Sequence, residues 1–114
     1  MPAPVYIPFG VRLAASRGLK LRAEYGRGGT EVGLRTARKL TTAHSVSFAF
    51  VRKVSQYFPR HAGDNLHQRK PPSNGYIAWL LWGGTPGRRW AEGVVRREQR
   101  RADRMARTPL GHRF

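Results

Sequence analysis

The apolar positions at the start of the chain, Val5, Tyr6, Ile7 and Phe9, are interleaved with Pro2, Pro4 and Pro8. Proline fixes its own φ and biases the preceding residue away from the helical region, so residues 1–9 are expected to form an extended arm. From Val11 the period lengthens. Val11, Ala14, Ala15 and Leu19 recur at three- and four-residue spacing, with Arg12, Lys20 and Arg22 off that face, which predicts a helix ending near Tyr25. Gly18 weakens that helix a little. Thr30 can cap a second helix with Val32, Leu34, Ala37 and Leu40 buried, and Glu31 in its first turn complements the helix dipole. Residues 41–46 read as a connection. Ser47 can cap a third helix with Phe48, Val51, Val54, Ser55 and Phe58 on one face and Pro59 as its end.

Residues 61–72 read as a polar loop. Ser73 or Asn74 can cap a short aromatic helix over residues 76–82, stopped by Gly83-Gly84. Thr85-Pro86 pairs a capping hydroxyl with proline in the first helical position and predicts a last helix to about Arg107. Trp90, Val94, Val95 and Met105 lie on one side of it. Beyond the arm nothing alternates like a strand, and no repeat is visible. The expected architecture is mainly α: an arm over residues 1–9, one small domain of four to five short helices over 10–107, and a tail over 108–114.

Composition adds a constraint. At 114 residues and 39% hydrophobic content, a single small core is all the chain can build. All three tryptophans, Trp79, Trp82 and Trp90, sit near one another in sequence with Tyr76 and are expected to be core or anchor aromatics. Lysine and arginine number 22 against 6 acids, a formal charge of +16, so a polyanionic partner is expected. Only Lys20, Lys39, Lys53 and Lys70 are lysine; arginine favours bidentate contact with phosphate or carboxylate. The absence of cysteine excludes disulfides and cysteine-ligated zinc. The first residues lack the basic and apolar regions of a signal peptide, and no apolar run is long enough for a bilayer.

Five constellations could carry chemistry. Residues 25–30, Tyr-Gly-Arg-Gly-Gly-Thr, open a helix and could form either an anion site with Arg27 or a tight turn requiring positive φ. The second and third helices outline a helix-turn-helix, but the connection is long and only Arg52, Lys53 and Gln56 could read bases, which favours an ordinary hairpin. His61, Asp64 and His67 are spaced as potential metal ligands without a scaffold to hold them and read better as a polar loop. The aromatic block could stack bases but is expected to be core. Arg88, Arg89, Arg96, Arg97, Arg100, Arg101, Arg104 and Arg107 outnumber Glu92, Glu98 and Asp103 along the last helix, and phosphate or acidic-surface contact is expected there. Neighbouring arginines point about 100° apart, so no single face is expected to hold all of them. No nucleophile with a paired base is evident, so no catalysis is expected.

Residues 17–90 resemble a small module encoded in tailed-bacteriophage genomes. The likeness rests on Arg17-Gly18-Leu19 with residues 24–33 (Glu-Tyr-Gly-Arg-Gly-Gly-Thr-x-Val-Gly), on Ser55-x-Tyr57-Phe58-x-Arg60-His61-x-x-Asp64, and on the block from Pro72 through Gly75-Tyr76-Ile77-Ala78-Trp79-Leu80-Leu81-Trp82-Gly83-Gly84 to Trp90-Ala91. The resemblance implies phage origin and, in some relatives, attachment to virion-assembly proteins; it carries no catalytic residues. Together these readings give a non-enzymatic, virion-associated structural protein of minor capsid, cement or connector type. Val5, Tyr6, Ile7 and Phe9 would be an assembly arm, and Arg27, Arg52, Lys53 and the arginines of the last helix would contact DNA or acidic protein. A sequence-non-specific DNA-binding protein outside the shell is the alternative. Other virion proteins in multiple copies and nucleic-acid phosphates are the expected partners, in the virion or the host cytoplasm. No cofactor, metal, membrane or small-molecule substrate is expected.

Overall fold

In chain order the elements are β1 (Val5–Tyr6), α1 (Phe9–Tyr25), α2 (Glu31–Thr42), β2 (Ser45–Val46), α3 (Phe48–His61), α4 (Asn74–Leu81) and α5 (Gly84–Arg107). The computed structural model describes residues 3–107; Met1 and Pro2 of the arm and the tail over 108–114 lie outside the described residues. The protein is a small, mainly helical domain. Three of its helices begin at the hydroxyl caps read from the sequence. The Gly33 amide donates to Thr30 Oγ1 at 3.2 Å, Phe50 N–H to Ser47 Oγ at 3.1 Å and Tyr76 N–H to Ser73 Oγ at 3.0 Å. Each bond satisfies one of the amides that a helix start leaves without a partner.

The core forms where α1 crosses α4 and where α3 lies along α5. Phe58, Leu40, Ile77, Leu81, Val11, Val51 and Val54 are fully buried there. Gly18, which lowers helix propensity, is what lets α1 and α4 touch. A Cβ built on it would lie 2.7 Å from the Leu81 amide nitrogen and 3.0 Å from the Leu80 carbonyl carbon. The close packing offsets a propensity cost of about 1 kcal/mol.

Several boundaries differ from the sequence reading. The arm is shorter, because Pro8 caps α1 with extended backbone and Phe9 is already helical. Proline can precede a helix at no cost in hydrogen bonds. The arm also folds back onto its own domain. Its strand pairs antiparallel with β2, Val5 against Val46 and Tyr6 against Ser45, inside what was expected to be a plain connection. Ile7 is buried in the domain's own core. The expectation of an assembly arm therefore needs correction for Val5 and Ile7, which are packed or paired within the chain; Tyr6 and Phe9 stay 66% and 76% exposed. Helix α3 runs through Pro59 to His61. Proline's fixed φ suits a helix, and it costs one amide bond in the last turn. Tyr57, Phe58 and His61, all in ring contacts, hold that turn. Helix α5 starts at Gly84, one residue before the Thr85-Pro86 signal, and Val32 and Met105 are exposed rather than buried.

Candidate functional site: a basic helix and an aromatic-walled cleft

The glycine-rich turn before α2 is a packing device. Gly28, at φ +102°, sits against Ile77, and Gly29, at φ +78°, against Leu81; a Cβ on either would fall within 2.7 Å of those side chains. Arg27 spans the gap from this turn to the start of α4. Its Nη1 donates to Asn74 Oδ1 and its Nη2 to the Pro72 carbonyl, both at 2.7 Å. Arg22 Nε donates to the Gly28 carbonyl at 3.0 Å from the other side. The guanidinium of Arg27, expected to meet phosphate, is thus engaged inside the fold, where it fixes the N-terminus of α4 beside that of α2. Arg12 plays a comparable part at the far end of α2, donating to the carbonyls of Leu40, Ala43 and His44. Cations at a helix C-terminus satisfy orphan carbonyls and complement the dipole.

A helix-turn-helix is not formed. The chain between α2 and α3 is tied into the two-stranded pairing, and α3 packs chiefly along α5. Arg52 and Lys53, adjacent in sequence, consequently serve different surfaces. Arg52 borders a groove with Phe48, Val95, Glu98 and Ala102, whereas Lys53, about 100° further round α3, lines a separate cleft.

That cleft, about 540 Å³, lies between the N-terminus of α2 (Gly29, Thr30, Val32), one side of α3 (Lys53, Gln56, Tyr57, Arg60, His61) and one side of α4 (Asn74, Gly75, Ala78). Asp64 and Trp82 complete it. Its wall is an aromatic stack. Tyr57 is sandwiched between Trp82, at 4.6 Å and 7° between planes, and His61, at 4.2 Å and 16°. His61 Nδ1 is bonded to Asp64 Oδ2 at 3.0 Å. The Tyr57 hydroxyl is completely enclosed and has no hydrogen-bond partner. Burial, and secondarily the negative charge of Asp64, push its pKa well above the usual phenol value, so it stays a neutral donor. Tyr57 was not singled out from the sequence as a site residue. Its only early signal is membership of the same resemblance block as Arg60, His61 and Asp64. The spaced ligands His61, Asp64 and His67 are not brought together as a trio: His67 lines a separate groove with Leu66, Arg69 and Tyr76. No group of three or more metal-binding side chains occurs among the described residues.

The aromatic residues divide by burial. Trp79 and Trp82 are 7% and 8% exposed, and Trp79 meets the Phe58 ring edge-on at 4.8 Å. Tyr76 and Trp90 are half-buried, Tyr76 beneath the Arg69 guanidinium.

The arginines of α5 are more ordered in space than their spacing first indicates. At about 100° per residue, Arg89, Arg96, Arg97, Arg100, Arg101, Arg104 and Arg107 fall within a sector of about 140°. The buried Gly87, Ala91 and Val94 lie outside that sector, as do Glu92, Glu98 and Asp103. Arg88 falls outside and binds Glu92 at 3.1 Å. Arg101 reaches back to Glu98 at 3.5 Å. Every residue from 99 to 107 is exposed. A helix of 24 residues is about 36 Å long, and its outer end extends a molecule whose dimensions are 63 × 29 × 21 Å. No helix among the described residues is long and apolar enough to cross a membrane. No family model, curated protein or solved structure matches the chain.

Proposed function

We propose that the protein is a non-enzymatic, phage virion-associated component that grips polyanionic surfaces, DNA phosphates first among them, through the arginine sector of α5. The observation that carries this reading is the gathering of seven arginines on one side of a projecting helix, with the three acids of that helix outside the sector. Arginine guanidinium groups pair bidentately with phosphate, and a regular helix can follow a backbone without reading bases. The few base-reading side chains on α3 agree with weak sequence preference. The virion assignment draws support from the resemblance of residues 17–90 to a phage module. It also draws on Phe9 and Leu13, one turn apart in the first half of α1 and both exposed, which suit contact with neighbouring protein.

The test is a salt series with random-sequence duplex DNA. If about six phosphates are neutralised, log K falls with log salt at a slope near −5. Replacing Arg96, Arg100, Arg104 and Arg107 together by glutamine keeps helix propensity and should reduce that slope by about 3 to 4. A slope unchanged in this variant would remove α5 from the interface, and a flat salt response in the parent would remove the electrostatic basis of the proposal.

A further inference from the structure

We infer that the groove between α5 and the N-terminal arm seats an unpaired nucleobase, so that the arginine sector of α5 holds single-stranded nucleic acid in preference to duplex. The inference rests on the polyanion reading of α5 and names the class of polyanion that the helix selects.

The groove, about 470 Å³, has α5 as one wall. Trp90, Val94, Arg97 and Arg101 line it at spacings of four, three and four residues, which sets them in one ridge about 16 Å long. Trp90 thus stands in line with two members of the arginine sector. The arm is the other wall, with Pro4, Tyr6 and Pro8. Pairing of Val5 with Val46 and burial of Ile7 fix the arm there, so Tyr6 is presented on a rigid support. Its ring meets His44 edge-to-face at 5.2 Å and is otherwise open, at 66% exposure. Trp79 and Trp82 are buried, whereas Trp90 keeps part of its surface open. The groove therefore offers two aromatic side chains, one on each wall.

Positive charge is concentrated beside Trp90. A Cβ on Gly93 would lie 3.6 Å from Arg97 Nη1 and 3.9 Å from Arg96 Nη2, so two guanidinium groups converge over a glycine one turn from the tryptophan. Neither is paired with an acid among the described residues, and Glu98, the acid in the lining, is joined to Arg101 at 3.5 Å. Two like charges brought together without a counter-charge suit a phosphate oxygen. Aromatic surface within a turn of them suits the base that the phosphate carries, since every base has a face to stack. An acidic protein surface would engage the arginines and leave the aromatic walls unused. A duplex keeps its base faces stacked on one another, so it reaches the arginines and not the groove. The volume is that of a small-molecule site and admits a nucleotide.

The experiment compares a labelled oligothymidylate with an abasic strand of equal length and phosphate count, by fluorescence anisotropy with the intact protein at several salt concentrations. The parent should bind the thymidylate about tenfold more tightly, with similar salt slopes for the two strands. Trp90→Ala and Tyr6→Ser should each bring that ratio toward one by weakening thymidylate binding, and Trp90→Phe should restore most of it. Tyr6 is exposed, so Tyr6→Ser carries the test if Trp90→Ala proves unstable. A ribo- and a deoxyribo-oligouridylate then separate the sources, the tighter of the two identifying RNA or DNA as the ligand. Equal, steeply salt-dependent binding of thymidylate and abasic strand, or the parental ratio kept in both variants, would overturn the groove and leave the α5 reading standing. Binding of neither strand would overturn both. Polyglutamate that displaces the labelled strand as well as unlabelled thymidylate does would assign the surface to acidic protein and overturn the base.

Discussion

Tyr57 lies parallel to Trp82, ring centroids 4.6 Å apart and planes 7° from coplanar, which joins the last turn of α3 to the C-cap of α4. The stack places a phenol in the interior with no acceptor for its proton. Removing that hydroxyl while keeping the ring should therefore stabilise the protein. Tyr57→Phe is expected to gain about 1 kcal/mol in urea unfolding at neutral pH. A loss of similar size would show that the hydroxyl holds a bond in solution.

The same residue predicts an alkaline limit. Its pKa in the folded protein is raised, first by burial and then by Asp64, whereas the unfolded phenol titrates near its ordinary value of about 10. Folding thus retains a proton that the unfolded chain releases. The contribution is complete below about pH 10 and is lost as pH rises further toward the folded-state pKa. Unfolding midpoints measured from pH 9 to 11 should fall more steeply in the parent than in Tyr57→Phe. Parallel curves would remove Tyr57 as the cause.

Gly18 and Gly10 sit on the same helix and should respond oppositely to alanine. A Cβ at position 18 meets the backbone of α4 at 2.7 Å, whereas at position 10 the nearest atom is Pro86 Cβ at 3.7 Å, an ordinary contact. Helix propensity favours alanine at both by about 1 kcal/mol. At position 18 two backbones must part, and overpacking of that kind costs about 1–3 kcal/mol, so steric repulsion decides the sign. Thermal unfolding should show Gly18→Ala below the parent and Gly10→Ala at or above it. Stabilisation by both would mean that α1 and α4 separate freely.

These pairs show what the sequence discloses. Local capping chemistry was legible: Thr30, Ser47 and Ser73 each begin a helix because a hydroxyl one turn ahead of an apolar period satisfies an orphan amide whatever the tertiary context. The continuation of α3 past Pro59 was not, because aromatic contacts from Trp79 and Trp82 stabilise a turn that proline weakens. The arm was read as extended, which its backbone is, yet its destination was open. Pairing of Val5 with Val46 joins residues 41 positions apart, and no periodicity encodes it. The cleft was least legible, since its residues come from three segments whose convergence follows from glycines 18, 28 and 29 meeting α4. The basic sector of α5 lay in the spacing all along and needed only projection onto the helix.

The arm should matter for folding. Ile7 is 6% exposed within the core cluster, and Phe9, two residues on, is 76% exposed. Ile7→Ala is expected to cost about 2–3 kcal/mol, toward the lower part of the range for buried aliphatic truncations, because the site lies at the edge of the core. Phe9→Ser should change stability by less than about 0.5 kcal/mol. Deleting residues 2–9 should then lower the melting temperature by more than Ile7→Ala alone. A deletion variant as stable as the parent would restore the view of the arm as a tether to a neighbour.

Trp79 should be among the costliest side chains to remove. It is 7% exposed and meets Phe58, a fully buried ring, edge-on at 4.8 Å. Its indole Nε1 also donates to Thr85 Oγ1 at 3.4 Å, across the turn that separates α4 from α5. Truncation to alanine removes the packing, the ring contact and that weak link together, and large aromatic-to-alanine changes in cores cost about 3–5 kcal/mol. In so small a domain this is a large share of total stability, so Trp79→Ala should be largely unfolded at ambient temperature. Trp90, half-buried beside Pro4 and Tyr6, provides the comparison. Trp90→Ala should remain folded with a lowered melting temperature, because solvent already reaches part of its surface. Circular dichroism of the two variants decides the matter. A folded Trp79→Ala of near-parental stability, with DNA binding lost, would make this tryptophan a ligand-contacting surface and not a structural one.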